Sequence, residues 1–205
     1  MVGHRSPSPT ISLGESDRSW LGYGARMSLL GFGQPQTGVF QMAYVVEDID
    51  ASIRRWVEEL KVGPWFLLPH FSGEGPTLRG EPSDADVALA MAHAGHMLVE
   101  LIQLNDDKPS VWHEGVERLG YGFHHFGVGT LDYDAELARH RDQGHHLAFE
   151  CAVPTGGRVA YVDTTAELPG YLELIEMDPA TDAAFTRFYA QSLAWDGSDP
   201  IRPFA

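Results

Sequence analysis

Two stretches of this chain end alike. LVELIQL occupies residues 98–104 and YLELIEM occupies 171–177, and each sets a glutamate between apolar neighbours. The openings echo too: QMAYVVEDID begins at Gln41 and HFGVGTLDYD at His125. An internal repeat constrains a fold strongly, because each copy must form the same unit and bury the same face.

Read along the chain, both copies have the same order of elements. VFQMAYVV, starting at Val39, is rich in β-branched and aromatic residues and reads as a strand. Asp48 offers an N-cap; Ile49, Ile53, Trp56, Val57 and Leu60 follow at helical spacing, and Gly63 and Pro64 stop the helix. PWFLLPH, a turn-rich SGEGP, and DVALAMAHA and HMLVELIQL flanking Gly95 as a hairpin complete the first copy, with about three strands after the helix. In the second copy FHHFGVGT is a strand, and Asp132 or Asp134 caps a helix that contains Leu137 and closes at Gly144. HLAFECAV, RVAYVDT and GYLELIEM then form three strands, with turns at 154–157 and 168–170. A short helix is predicted over 110–119, and a last one over about 179–193 with Phe185, Phe188, Tyr189 and Leu193 along one side. The expected fold is α+β: two βαβββ modules, about 38–105 and 120–178, in one domain of residues 38–195 that includes the C-terminal helix. Residues 1–37, rich in Ser, Gly and Pro and without period, read as a flexible arm. Trp20, Leu21, Tyr23 and the run 27–30 give that arm apolar groups that could dock on the body or on a partner subunit.

The repeat also points to a site. Overlaying the copies puts Gln41 on His125 and Glu100 on Glu173. Alternate strand residues share a face, so Gln41 goes with Ala43 and Val45, and His125 with Gly127 and Gly129. Glu100 lies between Val99 and Leu101, Glu173 between Leu172 and Leu174. An unpaired buried carboxylate is costly, and a metal or a proton removes the cost. Pseudo-twofold pairing of the copies brings Gln41, Glu100, His125 and Glu173 to one cavity. Oxygen and imidazole donors without a thiolate suit one divalent ion: zinc, nickel, cobalt, manganese or iron. Plainer roles compete at each position. The glutamates could line an open strand face in water, although apolar flanks argue against it. His125 could be a core histidine bonded to backbone, and Gln41 a polar core residue. His124 falls on the opposite strand face, where a structural or supporting role fits better than ligation. His93, His96, His145 and His146 read as surface or pocket-rim residues, while His70 and His113 are candidates to line the pocket. Trp65, Phe66, Phe71, Trp112, Tyr121 and Phe123 read first as core and second as pocket wall, and Cys151 as a buried strand residue without chemistry.

The paired βαβββ pattern, the opening QMAYVVEDID, the segment GFHHFGV and the endings VELIQ and LELIE resemble the vicinal oxygen chelate superfamily, over roughly residues 38–178. Residues 109–177 most resemble methylmalonyl-CoA epimerases and glyoxalase-like proteins. The resemblance implies a curved mixed sheet around a central metal cavity, the glyoxalase-like fold. It implies one ligand from the first strand and one from the last strand of each module, carried here to Gln41, Glu100, His125 and Glu173. Epimerases resemble the order His, Gln, His, Glu; the order here is that of zinc-type glyoxalase I. The implied activity is abstraction of a proton next to a carbonyl, a lyase or isomerase step on a small carbonyl or thioester substrate. Glu173 is the first candidate for the base and Glu100 the second. Two other readings share the fold: a small-molecule binding or sequestering protein, and a ring-cleaving dioxygenase. Retention of four ligand positions argues against the first. Gln41, standing where such an iron site usually has histidine, argues against the second.

Composition bears on partners. The formal charge is −15 and the arginines are scattered, which disfavours nucleic acid, since phosphate binding needs clustered Lys and Arg. One cysteine among 205 residues permits no intrachain disulfide. No stretch approaches the roughly 20 apolar residues of a membrane span, and the N-terminus lacks a signal peptide's apolar middle. The expected location is the cytoplasm. The resemblance, with strand edges that could be open, suggests a homodimer.

Overall fold

A computed structural model describes residues 28–204. The first module runs β1 (Gly38–Val45), α1 (Ile49–Glu58), β2 (Trp65–Phe71), β3 (Glu74–Leu78), β4 (Glu81–Pro82), β5 (Val87–Ala94) and β6 (Met97–Leu104). The Asp48 side chain accepts from the backbone N–H of Ala51 at 2.8 Å, which caps α1 as expected. The helix closes at Glu58, short of Gly63, and Leu60 is exposed outside its buried stripe. Gly95, at φ 63°, makes the tight β5–β6 turn.

After α2 (Val111–Leu119), capped by Ser110, the second module runs β7 (Gly122–Thr130), α3 (Tyr133–Asp142), β8 (His146–Ala152), β9 (Arg158–Asp163) and β10 (Tyr171–Glu176). Asp132, not Asp134, caps α3. Then come α4 (Pro179–Leu193) and β11 (Ile201–Pro203).

All strands join one mixed sheet in the order β11-β2-β5-β6-β1-β7-β10-β9-β8-β3-β4. The modules meet where β1 pairs antiparallel with β7; each first strand pairs parallel with the last strand of its own module, β1 with β6 and β7 with β10. This is the expected α+β, glyoxalase-like arrangement.

The sheet has two apolar faces. α1 covers one over the first module through Ile49, Ile53, Val99 and Leu101, and α3 covers it over the second through Tyr133, Leu137 and Leu174. The other face carries Ala43, Val45, Leu98, Ile102 and Ile175, packed with Trp112 of α2 and with Phe185 and Phe188 of α4. Alternation assigns Glu100 to this second face, between Leu98 and Ile102, and Glu173 likewise, between Tyr171 and Ile175.

Three features depart from the sequence reading. The β3–β4 hairpin begins within the SGEGP stretch and runs from Glu74 to Pro82; its β3 strand pairs with β8 and so extends the second module's sheet. β11, beyond residue 195, pairs parallel with β2. Residues 28–37 do not behave as a free arm: Leu30 and Phe32 are fully buried, and Phe32 packs edge-on against Phe40 at 5.8 Å. Burial of two large apolar side chains offsets the entropy of ordering this short turn. The rest of the expected arm, residues 1–27 with Trp20, Leu21 and Tyr23, lies outside the described residues. Of the expected apolar side of α4, Phe185 and Phe188 are buried, whereas Leu193 is exposed at the helix end.

Candidate metal centre

Gln41, Glu100, His125 and Glu173 come from four different strands and meet in the middle of the second face, all buried. Small neighbours make room for them. Glu100 pairs across β6–β1 with Ala43, and Glu173 across β10–β7 with Gly127. A Cβ on Gly127 would lie 2.7 Å from the Gln41 Cβ.

The four groups form a tight cluster. Nε2 of Gln41 is 3.1 Å from Oε2 of Glu100, 3.2 Å from Oε2 of Glu173 and 3.4 Å from Nε2 of His125. The His125 Nε2 is 3.5 Å from Glu100 Oε2 and 3.1 Å from Glu173 Oε2. Ligand atoms of Glu100, His125 and Glu173 all lie within 4.8 Å of one another.

Electrostatics favour positive charge here. Burial is the largest influence on Glu100 and raises its pKa, with the Glu173 charge adding to the effect. Burial alone would lower His125, but Glu173 and the hydrogen bonds to both carboxylates outweigh it and hold the imidazolium to about 9. Without a metal, therefore, a proton on His125 answers the two carboxylates.

The Gln41 amide tests whether a metal fits. Its NH₂ group faces the carboxylates, and its Oε1 is buried without any hydrogen-bond partner. Oxygen and nitrogen of an amide have nearly the same shape. With the amide turned over, Oε1 takes the place of Nε2 among the three donor atoms. The set is then three oxygens and one imidazole nitrogen; five of its six edges are 3.1–3.5 Å, and the sixth, between the two carboxylates, is within 4.8 Å. Ligands about 2.0–2.1 Å from a shared centre in a tetrahedron are spaced by about 3.3 Å. The residues fit a divalent ion.

A bulge shapes the surroundings. In the β1–β7 ladder Ala43 faces His125 and Tyr44 faces Phe123, so His124 is the extra residue. The equivalent bulge at Phe40 skips the residue before Gln41. Strict alternation sent His124 to the opposite face. The bulge instead turns it inward, where it is buried and stacked on Tyr171 at 5.0 Å. Its Nε2 is 3.2 Å from the Val111 carbonyl and its Nδ1 2.9 Å from Nδ1 of His125. Burial, then the neighbouring His125 charge, lowers the His124 pKa to about 3. A neutral His124 therefore donates Nε2–H to Val111 and accepts from Nδ1–H of His125. That fixes a proton on Nδ1 of His125, so that Nε2 offers its lone pair to the cluster once it has lost its own proton.

Gln41, Glu100 and Glu173 border a cavity of about 60 Å³. Its walls include Leu68, Phe71 and Met91 from the first module and Val159, Tyr161 and Ile175 from the second, with Trp112, Phe185 and Phe204. Tyr161, in register with Glu173, is kept a neutral phenol: burial, then the Glu173 and Glu100 charges, raise its pKa well above the usual value.

The other sequence candidates fall elsewhere. Phe71 and Trp112 line the cavity, but Trp65 packs under α1 and Phe66 stacks on Phe188 at 4.0 Å. Tyr121 is half exposed, and Phe123 meets Tyr44 at 5.9 Å. His70 is exposed beside Asp86 at 2.7 Å, and His113 bonds Ser110 at the α2 cap. His93 is not at the surface; it is buried, with Nε2 3.2 Å from the Phe185 carbonyl. Cys151 is buried, with its thiol pushed up to about 12 by burial first. Tyr161, Phe185 and Phe204 were missed as cavity residues. For Tyr161 a signal existed, since RVAYVDT is the hairpin partner of the Glu173 strand.

Paired βαβ-type modules, with a buried oxygen–nitrogen cluster between their first and last strands, define the glyoxalase-like class. The chain belongs to the Glyoxalase/Bleomycin resistance protein/Dioxygenase superfamily, whose profile matches residues 40–161, and thus to the vicinal oxygen chelate proteins. No curated protein matches the chain. Among solved structures, it is similar to methylmalonyl-CoA epimerase from Mycobacterium tuberculosis, with 19% identity, TM-score 0.52, and coverage of 78% of this chain and 97% of that one. A hypothetical protein from Bacillus halodurans C-125 gives 17% identity and TM-score 0.52 over 69% and 95%. A methylmalonyl-CoA epimerase solved with methylmalonyl-CoA and NH4+ gives 17% and 0.51 over 70% and 96%. These likenesses concern the fold. Among the described residues no helix is long and apolar enough to cross a membrane.

Proposed function

We propose that this chain is a metal-dependent lyase or isomerase that abstracts a proton next to a carbonyl of a small organic substrate. The observation that carries the reading is the pair of buried carboxylates from equivalent strands, both bordering one cavity and both beside His125 and Gln41. Gln41, Glu100, His125 and Glu173 would hold one divalent ion. When bound, it would supply Lewis-acid stabilisation of charge developing on a substrate oxygen.

The chain's own residues do the rest. Apolar walls exclude water, which strengthens every charge interaction inside. Glu173 takes the proton, with Glu100 second in line. Tyr161, protonated and in register with Glu173, supplies a neutral donor beside the base. His124 holds the His125 ring so that Nε2 stays aimed at the cluster.

The test is exchange of the α-proton of candidate carbonyl substrates in heavy water, followed by NMR. The substrates are α-hydroxyketones, thiol adducts of α-oxoaldehydes and acyl thioesters. Glu173→Gln keeps shape and a carbonyl oxygen but accepts no proton near neutral pH. It should fold and should slow exchange by about 10²–10⁴-fold. Exchange at the wild-type rate in this variant would move the base to Glu100. Tight binding without exchange in the wild type would favour the sequestering protein instead.

A further inference from the structure

The cavity wall specifies what kind of molecule enters. Among the described residues, no lysine, arginine or histidine lines it; its charged groups are Glu100 and Glu173. A divalent ion between them would bring the local charge near zero and leave nothing to answer a second anionic group. The adjoining hollow, which shares Leu68, Phe71, Val153 and Pro154 with the cavity, adds His70 and Glu74 but no lysine or arginine. The His70 ring there is already engaged by Asp86. An anion in this space would be desolvated without a partner. A neutral donor is available instead: the Trp112 indole N–H, which is buried without a hydrogen-bond partner, on a residue that lines the cavity.

The C-terminal segment reinforces this. Phe185 of α4 and Phe204 beyond β11 both border the cavity, and both lie past the stretch that matches the family profile. Phe204 is held by its backbone N–H bonding the Leu67 carbonyl at 3.2 Å, by Arg187 bonding its carbonyl, and by an edge contact with Phe188 at 5.1 Å. Two aromatic rings thus finish a wall that is apolar on both module sides.

We propose that the ligand of this site has an apolar body, with no charge outside the oxygen-bearing head that meets the metal, and that the site selects against anionic acyl carriers such as coenzyme A thioesters. The head-group part rests on the metal-centre reading above; the apolar-body part does not.

Three hydroxamic acids share one chelating head and differ in the body: acetohydroxamic acid, benzohydroxamic acid and its para-carboxy analogue. Calorimetric titration of the full chain incubated with zinc should show benzohydroxamic acid binding about ten- to a hundredfold tighter than acetohydroxamic acid, from burial of the ring. The para-carboxy analogue should lose that gain. Phe204→Asp should remove the gain. Equal or tighter binding of the para-carboxy analogue, or of methylmalonyl-CoA, would overturn the proposal. If no hydroxamic acid binds, the metal reading fails, and ligand-observed NMR with benzyl alcohol and benzoate decides the apolar-body part. Binding of benzyl alcohol alone upholds it; binding of both, or of neither, overturns it.

Discussion

His125 presents one nitrogen to the carboxylates and the other to His124, and the contact at 2.9 Å decides which nitrogen carries the proton. Replacing His124 with phenylalanine keeps an aromatic ring on Tyr171 but removes the acceptor. We expect His124→Phe to fold and to bind zinc about 10–100-fold more weakly, the usual effect of losing such a support, as read by chelator competition. In the wild type the same titration should strengthen as pH rises toward about 9. The pKa of His125 is raised in the metal-free fold, so its proton is held below that value and must leave before Nε2 can bind a metal. Unchanged affinity in the variant would assign the tautomer to another group. At this scale the sequence was informative where a polar residue interrupts an apolar strand in both copies, as at Glu100 and Glu173. It was silent on the inward turn of His124, because a bulge depends on strand pairing and leaves no mark in alternation. Phe204 stayed hidden because one aromatic among many says nothing of which wall it joins.

The helix between the modules acts as a buttress. Gly115 of α2 sits against the His124 ring: an added Cβ would fall on its Cδ2 and within 2.7 Å of its Nε2. Stacking on Tyr171 limits the ring's retreat. In an ordinary helix interior, glycine to alanine stabilises by about 0.5–1 kcal/mol. Here the sign should reverse: overpacking costs about 1–3 kcal/mol. Gly115→Ala should therefore lower the denaturation midpoint; a rise would show that the ring moves freely. The elements themselves were largely legible, since caps at Asp48 and Asp132 and the hairpin at Gly95 are local chemistry. The β3–β4 hairpin was not, because its partner β8 lies about seventy residues further on and belongs to the other module. Nor was β11, a three-residue strand whose identity comes only from β2 beside it.

On the scale of the whole molecule, the repeat explains why the centre lies where it does. Two copies paired through their first strands must bring first- and last-strand residues of both to the same place, so four positions separated by up to 132 residues become neighbours. The edges of the combined sheet are two- and three-residue strands, β4 and β11. Such short edges are poor templates for pairing, so the suggestion of a homodimer now rests on family resemblance rather than on open strands. What the assembled cavity needs is a charge to balance Glu100 and Glu173, and that need can be measured without knowing the substrate. Elemental analysis of protein purified without chelator should find about one divalent metal ion per chain, with Glu100→Ala and His125→Ala each losing most of it. Full metal occupancy in both folded variants would contradict the assignment of the centre to these residues.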